Sequence, residues 1–301
     1  MNLPNPANSA VAPAPVVHRV RHPFRARHVQ LLSREQPSPG FVRLTLGGPE
    51  LEDFVSAGFD DHVKLILPQA GRELPALPVL LDGRPTFVED ERPTLRDYTP
   101  LHYDAARQNL SMDFALHDAG PATEWALTAP LGQWVGLAGP RGSLVISANL
   151  PWHWLFGDET AMPAIERRLA ELPAGSRAVV RVQLRNPADR RQWKSTAQLD
   201  CAWVESLADA VQALELPQDD DGYIWAAGEH SAMAELRRLL LAKGAAPKRM
   251  RVASYWKQGQ ADHHEDLNDP SGPAWRKARK AQTKKSPPKW AFFRGGCARR
   301  I

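Results

Sequence analysis

The sequence predicts a small antiparallel β-barrel followed by a doubly wound parallel β-sheet with helices on both faces. Between residues 25 and 146, short apolar or alternating segments are separated by Gly and Pro, a pattern typical of antiparallel barrel strands. From residue 152 onward, strand-like segments alternate with segments of helical periodicity. That alternation indicates parallel strands joined by helices. The change of pattern places a domain boundary near residues 149–152.

Each predicted element has a local reason. In the first domain, apolar segments bounded by turn residues predict strands over 41–46, 62–67, 110–117 and 133–139, and a short helix over 122–128. Residues 69–92 contain three prolines and mixed charge, so we expect a long loop there. The elements expected in the second domain are strand 152–157, helix 161–172, strands 178–184 and 201–206, helix 207–214, strand 223–228, helix 231–244 and strand 249–256.

The two ends of the chain differ in composition from its centre. Residues 1–18 are rich in Pro, Ala and Asn, and residues 264–301 are rich in Lys, Arg and Pro, so we expect both to be disordered. The folded domains are then 19–149 and 150–263. Residues 264–301 carry ten Lys/Arg and three Asp/Glu, whereas the whole chain has a net charge of +4. The positive charge therefore belongs to the tail, and it does not indicate nucleic-acid binding by the folded domains.

Composition excludes several classes of protein. No segment approaches the ~20 apolar residues that span a bilayer, and the start of the chain has no apolar signal-peptide core. Cys201 and Cys297 cannot form a disulfide framework or a Cys-rich metal site, and Cys201 lies in a predicted core strand. Residues 263–266 (HHED) resemble metal ligands but begin the charged tail, so we interpret them as adventitious and expect no metal site.

A first candidate site lies in residues 96–100 (RDYTP), which we place on a strand of the barrel. Arg96 supplies a guanidinium for a phosphate. Tyr98 supplies a flat face for stacking on a ring system, and Thr99 supplies a hydroxyl for hydrogen bonding. Together these three side chains suit a flavin.

A second candidate is residues 120–126 (GPATEWA), a glycine turn that opens a helix. The first N–H groups of a helix have no partner within it, so they suit the pyrophosphate of a dinucleotide. A glycine-containing turn, residues 139–143 (GPRGS), follows the last predicted barrel strand. These three segments in this order are the strongest functional signal in the first domain.

The second domain has two strand–helix junctions of interest, residues 156–161 (FGDETA) and 226–231 (AAGEHS). Open α/β sheets bind ligands outside the carboxyl ends of their strands, so these junctions favour a nucleotide site. Ser231 is the expected N-cap of the second helix. The sequence has no G-x-G-x-x-G motif, so the dinucleotide-wrapping fingerprint is absent.

At these segments the chain resembles the siderophore-interacting proteins, a family of FAD-containing ferric-siderophore reductases. The matching segments, in chain order, are RDYTP, DFALHDAGPATEWA, GPRGS, FGDETAMPAIERRLAELP, AAGEHSAMAELRRLL and SYWKQG. The resemblance extends over residues 19–259 and includes both domains. It implies a barrel that binds FAD and an α/β domain that binds NADPH or NADH.

The resemblance also implies roles for particular side chains. Those expected to bind FAD are Arg96, Tyr98, Thr99, His117, Gly120, Ala122, Thr123 and Trp125, with His117 near the adenine end. Those expected to bind the nicotinamide nucleotide are Gly157, Thr160 and Glu229, with Arg185 for a 2′-phosphate. Those expected at the pocket mouth, holding an anionic ferric siderophore, are Lys64, Arg141 and Lys257.

The implied reaction passes a hydride from NAD(P)H to FAD and then single electrons to ferric iron, which leaves as Fe(II). The cofactor supplies the chemistry and the protein supplies orientation, so we expect no catalytic acid or nucleophile. We expect a cytoplasmic monomer that needs no stable protein partner.

Two alternatives stay open. One is a general flavin or electron-transfer reductase of the ferredoxin-reductase type; many members place a Cys-Gly pair near the last sheet strand, and SYWKQG (254–259) has none. The other is a binding module whose tail contacts nucleic acid or an anionic membrane, since Trp275, Trp290, Phe292 and Phe293 lie among its basic residues.

Overall fold

The computed structural model describes residues 16–88, 93–116, 120–219, 221–260 and 265–267. Within these residues an antiparallel sheet precedes a parallel one. The predicted fold class, an antiparallel β domain followed by a doubly wound parallel sheet, is confirmed. Every helix in the described part of the chain is too short or too polar to cross a bilayer.

In the antiparallel part, the described residues form eleven strands and one α-helix. The strands are β1 Val17–Arg21, β2 Ala26–Ser38, β3 Phe41–Gly47, β4 Val63–Ile66, β5 Val79–Leu81, β6 Arg84–Thr86, β7 Leu95–Tyr98, β8 His102–Asp104, β9 Asn109–Ala115, β10 Trp134–Ala138 and β11 Gly142–Ile146; the helix α1 is Pro121–Thr128. Seven strands form a sheet in the order β7-β4-β10-β2-β3-β9-β8, while β1 pairs with β11 and β5 with β6.

The hydrophobic core of the antiparallel part lies on one face of its seven-stranded sheet, because apolar residues alternate along the strands. Leu110, Met112 and Phe114 alternate along β9 and are fully buried, as successive side chains of a strand point to opposite faces. Leu44 of β3 and Trp125 of α1 belong to the same cluster. The helix α1 therefore covers part of the sheet, and its N-terminus is fixed by that packing.

Where the structure describes the parallel part, it contains six strands and three α-helices. These are β12 Trp152–Asp158, α2 Met162–Glu171, β13 Arg177–Gln183, β14 Gln198–Val204, α3 Leu207–Ala213, β15 Tyr223–Glu229, α4 His230–Ala242, β16 Met250–Trp256 and β17 Glu265–Asp266. The order is β14-β13-β12-β15-β16-β17, with β17 antiparallel to β16. Leu155 packs with Ile165 of α2 on one face, and Phe156 packs with Leu236 of α4 on the other. The strand order reverses between β12 and β15, which opens a crevice at their carboxyl ends.

Three sequence predictions of irregular structure are wrong in part. Val17 and His18, predicted to be disordered, pair with Ile146 and Val145 of β11. The predicted long loop 69–92 contains the β5–β6 hairpin, whose turn has positive φ at Asp82 (51°) and Gly83 (74°). Asp-Gly is a strong signal for a hairpin turn, but the loop prediction gave more weight to the three prolines of this segment. Residues 265–267, assigned to the disordered tail, extend the parallel sheet.

A buried carboxylate joins the two sheets at one end. Asp113 of β9 accepts a hydrogen bond from Arg43 Nε (2.6 Å), and its second oxygen lies 2.7 Å from Arg191 Nη2. Arg191 follows β13 in the chain, contacts Glu166 of α2 at 2.9 Å and lies over the Phe41 ring. Because the Asp113 side chain has no exposed surface, its charge depends on these arginines.

A second buried carboxylate also joins the two sheets. Asp60, in the loop before β4, accepts hydrogen bonds from Arg251 Nε of β16 (2.7 Å) and Trp225 Nε1 of β15 (3.0 Å). Arg168 of α2 is 1% exposed, donates to the Ile146 carbonyl and lies over Phe59, the residue before Asp60. The two sheets are thus held together by charged groups from which water is excluded.

The buried ion pairs of Asp113 predict a loss of stability when its carboxylate is removed. Asp113→Ala leaves Arg43 and Arg191 without their buried partner, so we expect the free energy of unfolding to fall by about 3–5 kcal/mol, measured by urea denaturation. Asp200→Ala is the matched control, because Asp200 pairs with Arg181 but is 60% exposed and its loss has little effect. Equal effects of the two substitutions would contradict the structural importance of Asp113.

Candidate functional site

Two of the first-domain motifs, residues 96–100 and 139–143, lie at the same end of the antiparallel sheet. The strands β7 and β10 both pair antiparallel with β4, so they run in the same direction. Lys64 of β4 stands opposite both Asp97 and Ala138. The segment after Tyr98 and the turn 139–143 therefore leave the sheet side by side.

Tyr98 presents a half-buried ring at this end. Its ring packs on Phe114 with 4.0 Å between centroids and 36° between planes. Burial raises the pKa of Tyr98, so the phenol stays neutral. One face of the ring is thus supported by the core, and the ring is held in place for stacking on a ligand.

Thr99 connects this end of the antiparallel sheet with the parallel sheet. It is 8% exposed, and its side chain interacts with Tyr255 of β16. Burial raises the pKa of Tyr255, and the interaction with Thr99 acts in the opposite sense. The next carbonyl, Pro100 O, accepts a hydrogen bond from Arg167 Nη1 (2.9 Å) of α2. The end of β7 is therefore fixed against β16 and α2.

Arg96 is the basic residue of this strand. Its Nη1 donates to the Leu95 carbonyl (2.7 Å), and it makes no ion pair with any residue that the structure describes. The guanidinium is half-buried next to the Tyr98 strand end. It can therefore accept an anionic ligand without first breaking a salt bridge within the described chain.

Among the residues that the structure describes, no side-chain cap closes the N-terminus of helix α1. Gly120 precedes it in an extended conformation and gives no side-chain cap, and Pro121 is the first helical residue. Ala122 and Trp125 are buried, and Trp125 Nε1 donates to Gln133 Oε1 (3.0 Å), so both pack in the core. Thr123 is half-buried on the same turn. His117 lies outside the described residues.

One carboxylate organises the crevice of the parallel sheet. Asp158 Oδ1 accepts hydrogen bonds from Thr160 N (2.9 Å) and Thr160 Oγ1 (2.5 Å). Its Oδ2 accepts from Glu229 N (2.9 Å) and Trp256 Nε1 (2.8 Å). Asp158 therefore ties together the carboxyl ends of β12, β15 and β16. Asp158 was not among the predicted site residues, although it lies inside the FGDETA junction.

The other predicted nucleotide residues also have contacts within the protein. A Cβ at Gly157 would lie 2.3 Å from Ala161 Cβ and 2.5 Å from the Ala227 carbonyl oxygen, so this position requires glycine. Glu229 Oε2 accepts from Ser231 N (2.5 Å) and Ala232 N (3.1 Å), which makes Glu229 the N-cap of α4. The prediction that Ser231 caps this helix is wrong, because the longer glutamate reaches both free N–H groups.

Arg185 lies at the entrance of a cleft between the two sheets. Its Nε is 2.8 Å from Glu159 Oε1, and its guanidinium lies over the Trp256 ring at 5.6 Å. Burial raises the pKa of Glu159, and the charge of Arg185 acts in the opposite sense. The cleft is lined by Pro39, Gly40, Leu116, Glu159, Arg185, Asn186 and Asp189. Arg185 is half exposed and can turn toward this space.

The three basic residues predicted at the pocket mouth differ in environment. Lys64 Nζ hydrogen-bonds both oxygens of Asp97 (2.9 and 3.1 Å), so its charge is largely compensated. Arg141 is exposed in the turn after β10. Lys257 follows β16 and forms a β-bridge with Gln260. The register places Lys64 and Arg141 at the same end of the antiparallel sheet.

These features define a class of protein. An antiparallel β domain joined to a parallel sheet with a crevice at its switch point is the ferredoxin-reductase-like fold. A ferredoxin reductase of a carbazole 1,9a-dioxygenase has this fold, with a TM-score of 0.58 over 76% of this chain and 68% of that one, at 14% identity.

The chain belongs to the siderophore-interacting protein family. The profile of the siderophore-interacting FAD-binding domain matches residues 30–144, and that of the siderophore-interacting protein matches residues 150–259. An NADPH-dependent ferric-chelate reductase of Escherichia coli is 39% identical over 248 residues, 79% of this chain and 95% of the relative. The crystal structure of a siderophore utilization protein from T. fusca has a TM-score of 0.76 and 29% identity, covering 82% of this chain and 98% of that one.

The four hydrogen bonds to Asp158 predict its effect on stability. Asp158→Asn keeps the size but places an NH2 group against N–H or O–H donors, so we expect the free energy of unfolding to fall by about 1–3 kcal/mol. Urea denaturation followed by tryptophan fluorescence measures it. Asp200→Asn, at an exposed pair, is the control and changes little. An unchanged Asp158→Asn protein would show that the crevice does not depend on this carboxylate.

Proposed function

We propose that the chain is an NAD(P)H-dependent, FAD-containing ferric-siderophore reductase. The observation that carries this proposal is the packing of the RDYTP strand end on the parallel part of the molecule, where Arg167 Nη1 of α2 donates to the Pro100 carbonyl (2.9 Å). Through it, the flavin-binding strand end of the antiparallel sheet adjoins the nucleotide-binding edge of the parallel sheet. A nucleotide at that edge and a flavin on Tyr98 would share one space.

The residues of the first domain fit FAD. Arg96, without an ion pair in the described part of the chain, would hold a phosphate, and the uncapped α1 N-terminus at Gly120 and Thr123 would hold the pyrophosphate. Tyr98 would stack on the ring system, and Thr99 would direct its hydroxyl to it. Ala122 and Trp125 would act through packing, because both are buried in the core.

When bound, FAD accepts a hydride from the nicotinamide and delivers single electrons to ferric iron, whose reduced form is held more weakly by the chelate. The chain's own residues bind and orient. Thr160 and Glu229 fix the crevice through Asp158, and Arg185 would accept a 2′-phosphate in exchange for Glu159. The NADPH dependence of the E. coli relative is consistent with that use of Arg185.

Arg141 and Lys257 would hold the ferric siderophore, with Lys64 contributing less because Asp97 neutralises it. Basic groups at the mouth of a cleft attract an anionic chelate without ligating its iron. Both proposed binding surfaces lie in one chain, so the reaction needs no partner subunit. Since reduced nicotinamide nucleotides are cytoplasmic, we place the reaction in the cytoplasm.

The visible spectrum of the purified protein tests the reaction. We expect bound flavin, bleached by NADPH or NADH without oxygen and restored by a ferric siderophore, with Fe(II) captured by a ferrous chelator. Restoration by ferric siderophore but not by a ferredoxin-type protein favours this function over a general electron-transfer reductase. A protein that stays colourless after incubation with FAD contradicts the proposal.

Arg96 predicts a change in flavin affinity. Arg96→Gln removes a charge-assisted hydrogen bond to phosphate, which contributes about 1.5–3 kcal/mol, so the Kd for FAD should rise about 10- to 100-fold. Titration of the apoprotein followed by flavin fluorescence measures this. Arg107→Gln is the matched control, since Arg107 is exposed and pairs with Asp104. An unchanged Kd in Arg96→Gln would place the phosphate elsewhere.

A further inference from the structure

Glu159 and Arg185 form an ion pair between the carboxyl ends of two neighbouring parallel strands. Glu159 follows β12 directly, Arg185 lies two residues beyond β13, and these two strands pair over their whole length. The Arg185 Nε atom lies 2.8 Å from Glu159 Oε1, and the Arg185 and Glu159 side chains are 50% and 12% exposed. The pair therefore lies at the edge of the parallel sheet where open α/β sheets bind their ligands.

The surroundings of this ion pair connect it with the crevice. The Arg185 guanidinium lies over the Trp256 ring at 5.6 Å, and Trp256 Nε1 donates to Asp158 Oδ2 (2.8 Å). Asp158 also accepts the N–H of Glu229, and so joins three strand ends of the crevice. Arg185 thus contacts an acid and an aromatic ring that are both next to Asp158, the first in sequence and the second through a hydrogen bond.

The ion pair also lines the cleft between the two sheets. The cleft has a volume of about 220 Å³, below the roughly 300–1,000 Å³ of a site that holds a whole drug-sized ligand. It therefore suits one part of a dinucleotide, such as a ribose with its phosphate. Among the described residues that line it, Arg185 is the sole base, and Glu159 and Asp189 are acids. Asp189 is buried and accepts a hydrogen bond from the Gly40 N–H (2.7 Å), so Glu159 is the acid that can exchange partners.

The pair combines the two chemical groups that distinguish NADH from NADPH. A carboxylate accepts a hydrogen bond from the 2′-hydroxyl of the adenosine ribose in NADH, whereas an arginine binds the 2′-phosphate of NADPH. A carboxylate beside that phosphate repels it. Because Glu159 holds Arg185 in this structure, a phosphate gains the arginine only by displacing the acid.

We propose that Glu159 is a specificity-determining residue that favours NADH and weakens the binding of NADPH, an inference that rests on the proposed function. With NADH the ion pair stays intact, and the Glu159 carboxylate accepts the ribose hydroxyl. With NADPH the Arg185 guanidinium leaves Glu159 for the phosphate. The chain therefore uses both nucleotides, and the acid limits its preference for NADPH.

The test removes each partner in turn from the flavin-loaded full chain. Glu159→Gln keeps the size of the side chain and frees Arg185, so we expect the Kd for NADP⁺ to fall about tenfold and the Kd for NAD⁺ to rise. Arg185→Gln should raise the Kd for NADP⁺ about tenfold, the effect of one hydrogen bond to a charged group, and leave the Kd for NAD⁺ nearly unchanged. Isothermal titration with the oxidised nucleotides measures both constants without turnover. A gain of NADP⁺ affinity in Glu159→Gln has no explanation in general damage to the fold.

The rate of flavin bleaching gives a second readout. In Glu159→Gln the ratio of kcat/KM for NADPH to that for NADH should rise, and in Arg185→Gln it should fall. The matched control is Asp200→Asn, since Asp200 pairs with Arg181 across the neighbouring strands β14 and β13 and does not line the cleft. This control should leave both Kd values and the ratio unchanged.

Three outcomes separate the explanations. Kd values for NADP⁺ and NAD⁺ that stay unchanged, or change equally, in Glu159→Gln would overturn the proposal. A higher Kd for FAD in Glu159→Gln, at an unchanged ratio for the two nucleotides, would assign the ion pair to the adenosine of FAD and also overturn it. If the wild-type chain binds FAD but neither nucleotide, and neither NADPH nor NADH bleaches its flavin, the proposed function fails instead.

Discussion

The arrangement of the molecule depends on carboxylates buried between its two sheets. Asp113 and Asp60 come from the antiparallel part, and their arginine partners Arg191 and Arg251 come from the parallel part. A buried charge is stable only with a well-placed partner, so such pairs permit few relative positions of the sheets. The contact of Thr99 with Tyr255 is a consequence of that position. The proposed flavin and nucleotide surfaces can therefore face one space.

A similar constraint acts inside the crevice of the parallel sheet. Asp158 accepts hydrogen bonds from Thr160, Glu229 and Trp256, which belong to three different chain segments. Two N–H groups at the start of α4 are occupied by Glu229 itself. Thr160 and Glu229, which the family resemblance assigns to nucleotide binding, thus already make hydrogen bonds that shape the crevice. Any contact with a nucleotide would be additional to this structural role.

The charges of the first domain are distributed differently from the sequence-based expectation. Lys64 is compensated by the cross-strand neighbour Asp97, whereas Arg96 forms no ion pair with any residue that the structure describes. Composition gave no sign of this, because the net positive charge of the chain is concentrated in residues 264–301. Local pairing, and not net charge, decides which basic groups are available to an anion.

The sequence by itself determined the types and order of the main elements, because apolar periodicity and turn residues act over a few neighbours; β9, α2 and β15 lie close to their predicted bounds. It also determined the RDYTP and GPATEWA segments, whose chemistry is local. Only the tertiary structure decided that Val17 and His18 form a strand, since their partners lie more than a hundred residues away. The same holds for the pairing of Lys64 with Asp97, the four bonds to Asp158 and the approach of Tyr255 to Thr99. Apart from the two bonds from Thr160 to Asp158, these contacts join residues distant in sequence, and they form only through strand pairing within a sheet or through the packing of elements from different parts of the chain.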